Sequence, residues 1–64
     1  MIYFTAVCYD GNELIVVHVA AKSPSAAITE LQTCELDING LFEGKLDNLF
    51  PGIETYPIED LKEI

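Results

Sequence analysis

Arginine and tryptophan are missing from this chain, histidine and methionine occur once each, and all side-chain positive charge rests on Lys22, Lys45 and Lys62. Three cationic side chains cannot neutralise a useful number of phosphates, which argues against direct nucleic-acid binding. Apolar runs are short as well. The longest, Leu14 to Ala21, is interrupted by His18 and falls far below the roughly 18 to 20 residues of a membrane span. The opening Met-Ile-Tyr-Phe-Thr has neither the basic region nor the small-residue cleavage site of a secretory leader, so a reducing cytoplasm is expected. Cys8 and Cys34 then read as two small hydrophobes rather than a bridge. There is no P-loop, no paired-cysteine motif and no glycine-rich phosphate cradle.

Carboxylates are plentiful. Nine of the eleven lie from Glu30 onward with only Lys45 and Lys62 beside them, so this portion carries nine negative charges against two positive, −7; Asp10 and Glu13 against Lys22 leave −1 for the rest, within a total of −8. A field of that sign attracts cationic surfaces and repels nucleic acid and anionic membrane. Half of the 64 residues are hydrophobic, far above the composition of disordered segments, so residues 1–64 are expected to form one globular domain. At this length folding hides only about 60% of the surface of the unfolded chain. Partner binding or oligomerisation is a common supplement at that size.

Ile2 to Tyr9 and Leu14 to Ala21 are two β-branched and aromatic runs separated by Asp10-Gly11-Asn12-Glu13, the pattern of a β-hairpin. A two-residue loop at Gly11-Asn12, with glycine at the positive-φ position of a type II′ turn, pairs Asp10 with Glu13. It sets Cys8, Ala6, Phe4 and Ile2 beside Ile15, Val17, Val19 and Ala21 on an apolar face. Tyr9, Val7, Thr5 and Tyr3 fall beside Leu14, Val16, His18 and Ala20 on a mixed one. A loop one residue longer would exchange one strand's faces and spoil that segregation.

Ser23-Pro24 then supplies an N-cap and a first helical residue. Pro24, Ala27, Ile28, Leu31 and Cys34 recur at helical spacing, giving a helix about 16 Å long whose Ile28 and Leu31 stripe is expected to pack on the hairpin. Beyond Cys34, Glu35 to Ile38 alternates, and Asn39-Gly40 before Leu41-Phe42 suits a third strand or a second small hairpin. Lys45 to Phe50 is compatible with one helical turn stopped by Pro51-Gly52, Ile53 to Tyr56 with a short strand, and Ile58, Leu61 and Ile64 with a C-terminal helical turn. The expected class is α+β: a β-hairpin packed by one helix (ββα), followed by one or two short strands.

No constellation in the sequence carries chemistry. The hairpin register separates Cys8 from His18, so the thiols and the imidazole do not converge on a metal. Asp10-Gly11-Asn12 and Asp37-Ile38-Asn39-Gly40 lack the later ligands of a calcium loop. His18 faces Thr5 and is read as a cross-strand hydrogen bond rather than a base beside a nucleophile. No cofactor is expected and no enzyme. The carboxylates of Glu30, Glu35, Asp37, Glu43, Asp47, Glu54, Glu59, Asp60 and Glu63 are instead candidates to contact a basic partner, and in the extreme to imitate a phosphate track. On the mixed sheet face Tyr3, Val7, Tyr9, Leu14 and Val16 are too apolar for open solvent, yet Thr5 and His18 interrupt them; Tyr3, Val7, Tyr9, Val16 and His18 are the candidates for an interface. Either the C-terminal segment covers them or another chain does, which would make a homodimer.

The hairpin ending Val19-Ala20-Ala21-Lys22-Ser23, followed by Pro24-Ser25-Ala26-Ala27 and a short amphipathic helix, resembles the ββα core of small bacteriophage-encoded host-takeover proteins, among them podovirus inhibitors of host RNA polymerase. The resemblance covers roughly residues 2 to 34 and brings no catalytic residues with it. It implies a short acidic protein that acts by blocking a larger one. The expected function is thus a non-enzymatic inhibitor or modulator that binds a basic, nucleic-acid-binding surface of a larger protein. The alternative is a self-associating assembly protein whose acids confer solubility.

Overall fold

The computed structural model describes residues 1–47 and 49–62. Along the chain run β1 (Ile2–Tyr9), β2 (Leu14–Ala21), α1 (Pro24–Thr33), β3 (Asp37–Glu43), β4 (Thr55–Pro57) and α2 (Ile58–Lys62). The strands form one mixed sheet in the order β3-β1-β2-β4, antiparallel except for the parallel β2–β4 pair. The α+β class and the ββα start are as the sequence implies.

The hairpin has the expected register, Tyr9 opposite Leu14 through Ile2 opposite Ala21. Its loop is fixed from within. Gly11 takes φ +96, and Asp10 Oδ1 accepts from the N–H groups of Asn12 and Glu13, each at 2.8 Å. Phe4, Ala6 and Cys8 from β1 and Ile15, Val17, Val19 and Ala21 from β2 form the buried face. Against it lie Ala27 and Leu31 of α1, Leu36 and Ile58. Each large side chain there contributes roughly 1.5–3 kcal/mol of transfer free energy.

Helix α1 begins as expected: the Ser23 hydroxyl accepts from Ala26 N–H at 3.1 Å, and Pro24 follows. It sits on the sheet rotated from the expected stripe. Ala26 and Cys34 pack beside Ala27 and Leu31, Pro24 is exposed, and Ile28 lines a shallow depression instead of the core. The two adjacent alanines let the helix approach the sheet closely and take the position expected for Ile28. The helix closes at Cys34 through Leu36 N–H to Leu31 O (3.4 Å) and Glu35 N–H to Gln32 O (2.9 Å), with Glu35 at φ 61 and Leu31 and Leu36 both buried. This is the Schellman arrangement, whose left-handed residue is usually glycine.

Asn39-Gly40 is not a turn. Val7 pairs with Gly40 and Cys8 with Ile38, so Asn39 is an extra residue in one continuous strand. The bulge lets Ile38 and Leu41, three residues apart, both pack on the core face. The helical turn anticipated over residues 45 to 50 does not form in the described part, Asn48 lying outside it. That segment instead crosses the second sheet face and reaches β4 through a turn closed by Ile53 N–H to Phe50 O (3.1 Å). Its anchor is non-local. Thr5 Oγ1 donates to Gly44 O (2.8 Å) and accepts from Leu46 N–H (2.9 Å), while His18 Nε2 lies 2.8 Å from Leu46 O as donor. Thr5 and His18, side by side in the register, therefore hold the crossing chain rather than each other. Strand β4 begins two residues later than expected from Ile53. Helix α2 begins at Ile58, with Leu61 against the core and Ile64 outside the described residues.

Candidate protein-binding surface

Strand register shows where the charges fall. β1 ends, β2 begins and β3 begins at the same end of the sheet, because Asp37, Tyr9 and Leu14 share one row. Asp10 and Glu13 flank the hairpin loop at that end, and Glu35 closes the C-terminus of α1 beside it. Glu54 joins from the opposite sheet edge, since its carbonyl accepts from Val16 N–H at 3.0 Å. Five carboxylates from four chain segments thus gather at the hairpin-loop end. The Tyr56 hydroxyl reports the convergence: it donates to Glu54, and the charges of Glu54, Glu13 and Asp10 all push its pKa upward, after the hydrogen bond itself. Asp10 is held below the usual aspartate range by the Glu13 and Asn12 N–H groups and stays ionised.

The lysines lie elsewhere or are engaged. Lys22 follows the far end of β2, and Lys45 Nζ sits 5.4 Å from the Tyr3 ring centroid at that same far end. Lys62 shares a depression with Glu35, but its ammonium pairs with Glu30. The molecule is 28 Å in its longest dimension, several times the ~8 Å Debye length at physiological ionic strength, so its two ends present separate fields. Tyr9 and Leu14, 39% and 44% exposed, are at the same end of the sheet.

The nine acids singled out in the sequence divide accordingly. Glu35, Asp37 and Glu54 are at the hairpin-loop end, Glu43 is at the far end of β3, and Asp47 follows the clamped Leu46 on the second face. Glu30 is paired on α1, and Glu59 and Asp60 occupy the first turn of α2, where acids favour the helix. Glu63 lies outside the described residues. Asp10 and Glu13 complete the cluster although they stand apart from the acidic stretch of the chain, because their neighbour Glu54 is remote in sequence. Of the second-face residues, Val16 and His18 are 1% and 8% exposed and covered by the chain itself, Val7 is half-buried, and Tyr3 and Tyr9 remain open. Only part of the face proposed from sequence is free for another chain.

Among the described residues no three His, Cys, Asp or Glu side chains are placed to hold a metal ion, and no helix is long and apolar enough to cross a membrane. Burial pushes the Cys8 thiol up to about 11, so it is no nucleophile. The depressions lined by Gln32, Glu35 and Asp37 and by Thr33, Cys34 and Leu61 are open and shallow. No family model, curated protein or solved structure matches this chain.

Proposed function

We propose that this chain is a non-enzymatic binding protein that sets the hairpin-loop end of its sheet against a basic surface of a larger protein, one that ordinarily engages nucleic acid, and so inhibits or modulates it. One observation carries the reading: Asp10, Glu13, Glu35, Asp37 and Glu54 lie at one end of the sheet, the end at which Tyr9 and Leu14 are exposed. Carboxylates steer a cationic partner, and the apolar pair supplies desolvated contact once it arrives. Glu35 adds support. It holds a left-handed conformation that glycine would adopt more easily, and strain of this kind collects at working surfaces.

The test is titration of the protein with a lysine-rich peptide at low and high salt, against two charge-reversed variants. Binding is expected to weaken about tenfold or more with salt and to be lost when Glu13, Asp37 and Glu54 become lysine. Reversing Asp47, Glu59 and Asp60 alters net charge equally and is expected to matter far less. No binding at low salt, or equal loss from both triple reversals, overturns the proposal.

A further inference from the structure

The longer free edge of the sheet is β3, with Asp37 at one end and Glu43 at the other, and we infer that it accepts an extended cationic segment of the partner as a fifth strand. The inference rests on the proposed docking to a basic surface and specifies its geometry. The two edges are unequal. β4 has three residues and ends in Pro57, which offers no N–H, whereas β3 has seven. Gly44 N–H donates to Tyr3 O at 2.7 Å, so the alternation of an antiparallel ladder turns the backbone groups of Phe42 toward β1 and those of Leu41 and Glu43 outward. No described residue lies beyond them in the sheet. The bulge at Asn39 limits regular pairing to Gly40–Glu43, a run sufficient for a short added strand.

Charge decides the occupant. Parallel pairing of two copies in register would stack Glu43 on Glu43, and in either orientation a chain of −8 approaches another of −8; like charges across strands are destabilising. An incoming strand with lysine or arginine opposite Glu43 reverses the sign of that contact. Phe42, 43% exposed, lies within the run and gives an alternating apolar side chain a ring to cover. Gly40 leaves that ring room, since a Cβ there would meet it at 3.4 Å.

Two peptides of alternating lysine and valine test the idea, one ordinary and one N-methylated at every second amide, which keeps the charge and removes strand pairing. The ordinary peptide is expected to bind and to slow hydrogen exchange at the Leu41 and Glu43 amides at least tenfold, and the N-methylated one to bind about tenfold more weakly. Equal affinity for both, or binding without slowed exchange at Leu41 and Glu43, overturns strand addition and leaves docking by charge intact. Failure of both peptides at low salt overturns the docking proposal as well. Protection of the same amides without peptide, in a protein that sediments as a dimer, overturns it in favour of self-pairing.

Discussion

The two ends of the sheet are built differently. Toward the end where β1 starts, two polar groups are turned inward: Thr5 is fully buried, and it satisfies backbone atoms of Gly44 and Leu46, 39 and 41 residues away in the chain, with His18 bonding Leu46 from 28 residues away. Lys45 there lies over the Tyr3 ring. At the hairpin-loop end five carboxylates lie near exposed apolar side chains, and the one lysine close to them, Lys62, is paired with Glu30. One end consumes its polar groups in holding the fold, and the other offers them to solvent and to partners.

The largest effect that would break this contrast is expected from Thr5→Val. The substitution keeps the shape but strands the Gly44 carbonyl and the Leu46 N–H, at roughly 1–3 kcal/mol for each buried group left unpaired. Urea unfolding should show a lower midpoint, while peptide affinity of the folded protein stays unchanged. A stability loss below about 0.5 kcal/mol would mean that the crossing segment is not held by this hydroxyl.

Next in size is the double change Tyr9→Ser with Leu14→Ser. Both side chains are exposed enough that stability should move by less than about 1 kcal/mol, in keeping with surface positions. Affinity for the lysine-rich peptide should fall by about five- to tenfold. If instead stability collapses and affinity persists, the assignments of the two ends are reversed.

A smaller effect of opposite sign is expected from Glu35→Gly. Glycine relieves the left-handed backbone at the end of α1, so the protein should gain about 1 kcal/mol in unfolding experiments. Peptide affinity should drop slightly as one of five clustered charges is removed. A gain in stability together with weaker binding is the signature of a residue kept for its carboxylate.

What the sequence made legible was what adjacent residues decide. Gly11-Asn12 between two alternating runs leaves one register that segregates faces, and Ser23-Pro24 leaves one place for a helix to start. Asn39-Gly40 was ambiguous because the same dipeptide that makes a tight turn also makes a bulge, and only pairing with Val7 and Cys8 distinguishes them. The segment after Gly44 could not be read, since Thr5 and His18, far upstream, determine its path. The acidic end was hidden for the same reason: counting charges along the chain assigns Asp10 and Glu13 to the nearly neutral part, and it takes the β2–β4 pairing to bring Glu54 to them.

The smallest effect concerns Asp10 alone, whose two roles at the acidic end pH can separate. Its folded pKa lies below the ordinary aspartate value because the Glu13 N–H, and then the Asn12 N–H, donate to the ionised carboxylate. A depressed folded pKa means that this stabilisation is fully present above the unfolded value and is lost as pH falls through the folded one. Asp10→Asn retains an acceptor oxygen without the charge. Wild type should thus be the more stable of the two near neutrality, and the gap between their urea midpoints should close on acidification through the low pKa. Comparison of the pair cancels the titration of the other carboxylates, which would otherwise mask so small a difference. A gap that stays constant with pH would show that the loop needs only an oxygen at this position, and that the charge of Asp10 serves the surface rather than the turn.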